Sequence, residues 1–262
     1  AIRPPTGADP PLRERIVTRL RDTQPSTSPD DWRIAGVPPA QMQRLRAHFP
    51  AQPVPAAVLV PIVDRPAGLT MLLTERASTL RNHAGQVSFP GGRIEPADPS
   101  PAAAALREAR EEIGLDAGHV HLLGYVPDHL IVSGFRVTPV VAFVDPDPPL
   151  HIDTREVRGT FEVPLEFVFD TRNHRASVRR IGGEDVEVYD IPYGPNRIWG
   201  ATAGMLITLY RLVSGGPGGW GGRGARAAAR RDGAAARAGR WLPLGSRAEL
   251  RDDCAVHDRR GL

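Results

Sequence analysis

The pattern of apolar and polar positions changes once, near residue 54. Before that point it predicts two helices, about 10–22 and 39–48, separated by the turn-rich run QPSTSPDDW. From Pro55 onward the texture is that of strands. AAVLVPIVD and LTMLLTE are apolar, partly β-branched and bounded by Pro and Gly. VHLLGYV, VTPVVAFV, EVRGTFEV, RASVRRI and EDVEVYDI continue it, punctuated by turn chemistry such as DPDPP and IGGED. One strong helix is predicted over 101–113, with Ser100 as N-cap, Pro101 in the first turn and Gly114 where a left-handed C-terminal residue belongs. A last apolar helix is predicted over 197–213. This reads as a mixed α+β domain with helices set among strands.

The final stretch has no such pattern. Residues 214–262 alternate Gly, Ala and Arg and carry ten arginines against five acidic residues. Such a segment buries too little apolar surface to offset its ordering entropy, so a disordered tail is expected there. The predicted organisation is a helical extension over 1–54 packed on the core, a main α+β domain over 55–213, and the low-complexity tail over 214–262.

Composition narrows the function classes. All 33 basic residues are arginine, and the formal net charge of +3 arises in the tail, leaving a mildly acidic body. A nucleic-acid-binding core is therefore not expected. No run approaches the ~20 apolar residues of a membrane span, and the first residues lack an apolar signal core, so neither a membrane protein nor export by that route is expected. The single cysteine, Cys254, argues against a disulfide scaffold or a thiolate zinc site and fits a cytoplasmic protein.

The chemistry concentrates between Gly91 and Leu115. Residues three and four apart share a helix face, so Glu108 lies one turn from both Glu111 and Glu112. Three carboxylates on one side of one turn repel one another, and a divalent cation removes the conflict. Gly91-Gly92 lets backbone approach a metal or phosphate oxygens with no Cβ between. For Arg-Glu-x-x-Glu-Glu alone, a solvated acidic face is the simpler reading. The Gly-Gly turn upstream and the marked helix start and stop favour the cation site.

The same segment resembles a Nudix box, G-x5-E-x7-R-E-U-x-E-E-x-G-U with U apolar. Counted from Gly92, Asp98 replaces the Glu, Arg107 arrives one residue late, and Ala109 holds the first apolar position. The segment from Leu72 to Gly92 is similar to the signature of the coenzyme A pyrophosphatases, LLT-x-R-[SA]-x3-R-x3-G-x3-FPGG, and meets every specified position. SGF-x-V-x-P from Ser133 and IWGAT from Ile198 resemble later landmarks of that subfamily.

The resemblance implies an α/β/α sandwich: a Nudix-type mixed β-sheet flanked by helices, with the metal site on the box helix. It implies hydrolysis of coenzyme A or a derivative to 3′,5′-ADP and 4′-phosphopantetheine. Glu108, Glu112 and Glu111 would bind Mg²⁺ or Mn²⁺, the backbone of Gly91 and Gly92 would meet metal or phosphate, and Arg107 would pair with Asp98. Glu111 is the implied general base, with Glu156 and Glu162 as rivals. Arg76 and Arg81 belong to the subfamily-specific stretch and are read evenly as phosphate ligands or as salt-bridge partners shaping the loop. His83 is read as structural, and Phe89 and Trp199 as core or wall residues. A Nudix enzyme acting on ADP-ribose, a dinucleotide or capped RNA is the alternative, and a silent binding module is disfavoured by the intact acidic triplet. The expected partner is a small-molecule substrate, and a homodimer is compatible with the sequence.

Overall fold

The computed structural model describes residues 11–28, 31–34, 37–77 and 85–215. Residues 216–262 of the predicted tail, Arg81 and His83 lie outside the described residues. Helices α1 (Leu12–Leu20) and α2 (Pro39–Arg46) precede the sheet. The chain then forms β1 (Val54–Arg65), β2 (Gly68–Arg76), β3 (Val87–Ser88) and β4 (Gly91–Arg93) before helix α3 (Pro101–Ile113). Strands β5 (Val120–Tyr125), β6 (His129–Leu130), β7 (Phe135–Val144) and β8 (Val157–Pro164) lead to the short helix α4 (Leu165–Phe169). Last come β9 (Arg175–Ile181), β10 (Glu184–Tyr193), β11 (Asn196–Trp199) and helix α5 (Gly200–Ser214).

The main sheet is mixed and runs β3-β2-β1-β7-β5. Strand β4 also pairs with β1, β6 with β7 and β8 with β2. Only β1 and β7 are parallel, in register from Val54 opposite Phe135 to Val63 opposite Val144. A strand buried on both faces reads as a continuous apolar run, and β1 is buried from Ala56 to Val63. Its side chains then alternate between two cores. Ala56, Val58, Val60 and Ile62 pack with residues of α1 and α5, including Ile16, Leu20 and Leu206. Ala57, Leu59 and Val63 pack with the small-residue face of α3, Ala102, Ala105 and Ala109. This is a helix–sheet–helix sandwich, as the sequence implied.

Three differences from the sequence reading have local causes. The predicted helix 197–213 begins at Gly200, because Asn196–Trp199 completes a three-stranded sheet with β10 and β9. Gly200, at φ +61, turns the chain from strand into helix, a conformation a β-branched or aromatic residue resists. The strands β3, β4 and β6 have two or three residues each and carry too few positions to show a period. Helix α4, five residues long, has the same defect. Among the described residues no helix is long and apolar enough to cross a membrane.

Candidate functional site

Helix α3 is built to hold a fixed face toward the sheet. Ser100 Oγ accepts the Ala103 N–H at 3.1 Å, and Gly114, at φ 68, closes the other end. The carbonyls of the last turn are taken up by the following loop: His151 N–H donates to Ile113 O at 2.9 Å and Asp153 N–H to Glu112 O at 2.9 Å. That loop therefore lies against the acidic end of α3.

Beneath the helix, β4 lies along β1, with Gly91 opposite Val58 and Gly92 opposite Ala57. The closeness excludes side chains. A Cβ on Gly91 would stand 2.5 Å from the Ala57 carbonyl oxygen, and one on Gly92 would fall on the Glu108 carboxylate. Glu108 and Glu112 are each only 4% exposed, one helical turn apart above these glycines. The Gly91 N–H donates to Glu112 Oε2 at 3.1 Å. Glu108 Oε1 accepts from Arg107 Nη1 at 2.8 Å. Two buried carboxylates side by side are costly unless cations or donors compensate them.

Arg107 organises the rim. Its Nε donates to Asp98 Oδ1 at 3.1 Å and its Nη2 to Asp98 Oδ2 at 2.9 Å, a two-point fork. Asp98 Oδ2 also accepts the Glu95 N–H, and the Arg107 side chain holds the carboxyl of Asp98 below its ordinary value. The shorter acid with one more loop residue thus reaches its arginine.

Glu111 stands apart from the buried pair. Its side chain is 34% exposed and meets Arg107 Nη1 at 3.4 Å. It faces an open cleft shared with Asp153, Arg155 and Glu156. Helical spacing alone places the three glutamates together, but the structure divides them into a buried pair and a rim residue. Among the described residues, no three acidic, histidine or cysteine side chains already converge as a metal-ligand set. The donor chemistry nevertheless fits a hard divalent cation: Glu108 and Glu112 offer buried carboxylate oxygens beside a turn stripped of side chains.

The rival bases separate clearly. Glu162 is bound to Arg65, with Nε to Oε2 at 3.1 Å, and to Thr70, and the guanidinium pulls its carboxyl below the ordinary value. It is an ion-pair member on the outer strand pair. Glu156 sits in the cleft beside Glu111, fixed through its carbonyl, which accepts the Ala77 N–H at 2.9 Å. Asp153, which also lines the cleft, carries no signal in the sequence; it arrives there because the 150–157 loop caps α3.

Arg76, the last residue of β2, points inward and is only 8% exposed. Burial pushes its guanidinium below its ordinary value, offset in part by the nearby charges of Glu112 and Glu156. It thus lies within charge-interaction range of Glu112 and Glu156. Phe89 is buried in the main core, and the Trp199 ring has the guanidinium groups of Arg179 and Arg197 at 5.8 and 5.6 Å from its centroid.

Comparison with known proteins bears on this arrangement. A family model described as the NUDIX domain matches residues 53–179. An uncharacterized Nudix hydrolase, NudL, from Cronobacter sakazakii is 46% identical over 155 residues, covering 59% of this chain and 80% of its own length. Its counterpart from Yersinia enterocolitica is 44% identical over 167 residues, covering 63% and 85%. Among solved structures, a C. elegans Ap4A hydrolase complex aligns over 42% of this chain and 80% of its own at 19% identity, with a TM-score of 0.38. A Deinococcus radiodurans protein, DR0079, aligns over 62% and 88% at 14% identity, with a TM-score of 0.40.

Proposed function

The chain belongs to the Nudix hydrolases, and we propose that it hydrolyses the pyrophosphate bond of coenzyme A or a derivative, giving 3′,5′-ADP and (acyl-)4′-phosphopantetheine. The reading is carried by one observation: Glu108 and Glu112 are buried as a pair over the Gly91-Gly92 turn. The coenzyme A specificity rests on the Leu72–Gly92 signature.

Glu108 and Glu112, with Glu111 at the rim, would hold Mg²⁺ or Mn²⁺. When bound, such an ion supplies neutralisation of the non-bridging phosphate oxygens and a more acidic water. The protein's own residues do the rest. Arg107, anchored by Asp98, keeps Glu108 oriented toward the site. Glu111 takes the proton of the attacking water, since it is the carboxylate of the triplet open to solvent. Water oxygen bonds to one phosphorus as the bridging P–O bond breaks, and the second phosphate leaves with the bridging oxygen. The backbone of Gly91 and Gly92 permits close approach of the phosphates, and Arg76 and Arg81 supply guanidinium forks for them.

A substrate panel tests this: coenzyme A, dephospho-coenzyme A, acyl thioesters, ADP-ribose and NADH, each with and without EDTA. Preferred, EDTA-sensitive cleavage of coenzyme A or its thioesters is the expected result. Preference for ADP-ribose or NADH would replace the substrate and keep the chemistry.

A further inference from the structure

A buried guanidinium normally has a carboxylate or carbonyl to bind, because leaving it bare costs several kcal/mol or more. Arg76 falls short of this at one nitrogen. Its Nε is buried without a hydrogen-bond partner among the described residues. The side chain instead lines a partly open cavity between β3 and the start of α5. The cavity measures about 60 Å³. At roughly 10–15 Å³ per water position, that is room for one tetrahedral oxyanion.

The far wall is the first turn of α5, Gly200 to Thr202. Its N-cap, Trp199, makes no side-chain cap bond, and the first turn holds no acidic residue. The positive end of a fifteen-residue helix is thus left for something else to satisfy. Thr202 Oγ1 donates to Val87 O at 3.0 Å, which fixes that helix end against β3 and keeps the cavity's two walls in register. Gln86 and Ser88 add polar groups to the lining, while Val58, Val87, Phe89 and Met205 are apolar and strengthen charge interactions beside them.

We propose that this cavity is an oxyanion subsite that holds one phosphate group of the substrate between Arg76 and the backbone N–H groups opening α5. The proposal deepens the hydrolase reading and rests on it for the identity of the phosphate carrier. The occupant is a phosphate dianion, which coenzyme A can supply from its 3′-phosphate or from its pyrophosphate.

The test separates the subsite from the reaction. The full chain in EDTA is titrated with inorganic phosphate and followed by thermal unfolding. Wild type gains stability with phosphate; Arg76→Met and Ala201→Asp each weaken that response by at least about tenfold. If Arg76→Met fails to fold, Ala201→Asp still reads the site, because a carboxylate suits a helix N-terminus while repelling the anion. No phosphate response in wild type, or an equal response in both variants, overturns the proposal. With metal present, a KM increase in Ala201→Asp for coenzyme A alone places the 3′-phosphate in the cavity. An equal increase for dephospho-coenzyme A places the pyrophosphate there, and no increase for either overturns the proposal. Phosphate binding without any coenzyme A cleavage by wild type would sink the hydrolase reading and leave the subsite standing.

Discussion

Arg107 grips Asp98 through two hydrogen bonds, 3.1 and 2.9 Å long, and spends its remaining Nη1 on Glu108 at 2.8 Å. One guanidinium therefore ties the loop after β4 to a buried carboxylate of α3. Asp98→Asn keeps the volume and removes the charge, and is expected to cost about 1–3 kcal/mol of stability at pH 7. Because the folded carboxyl titrates below its ordinary 3.8, its contribution is full above that value and is lost as pH falls below it. Unfolding of wild type and Asp98→Asn compared from pH 7 to pH 3 should show their difference shrinking toward acid.

Gly92 leaves the space that the Glu108 carboxylate occupies. Gly92→Ala should push Glu108 aside, lowering kcat by about a hundredfold while destabilising the fold by ~1–3 kcal/mol. Steady-state kinetics beside thermal unfolding checks this; wild-type turnover in Gly92→Ala would show that the glycine is not needed for room.

Glu111 and Glu162 should respond differently to loss of charge. Glu111→Gln is expected to lower kcat by about 10²–10⁴-fold. Glu162→Gln breaks the pair with Arg65 and is expected to lower Tm with kcat unchanged. The reverse pattern would transfer the base to the outer strand.

His129 supplies a pH effect remote from the acidic helix. It is fully buried, its ring nitrogens lie 2.9 Å from Pro127 O and 3.1 Å from Thr208 Oγ1, and burial lowers its pKa from 6.5 to about 4. Between those values the unfolded chain binds a proton that the folded chain refuses. Stability is thus full above about 6.5 and falls on acidification toward 4, by about 3 kcal/mol in all. His129→Gln should flatten the stability curve over that interval.

Much of this architecture is legible in the residues. Ser100, Pro101 and Gly114 mark the ends of α3, and the doubly buried run of β1 declares a central strand. Elements held only by tertiary pairing are not legible: β4 is three residues whose strand character exists because β1 lies beside it. The site is legible in part for the same reason. Spacing puts Glu108, Glu111 and Glu112 near one another, but packing against Gly92 decides that two are buried and one faces the cleft. Asp153 reaches that cleft only through a loop hydrogen bond to Glu112 O, which no local pattern foretells.

The most direct trial of the acidic pair is a Mn²⁺ titration of the full chain, followed by loss of the free-ion paramagnetic resonance signal. Wild type should bind saturably, and Glu108→Gln and Glu112→Gln should each lose at least about tenfold in affinity while keeping wild-type secondary structure. Manganese bound as tightly by both variants as by wild type would contradict a metal site on this helix.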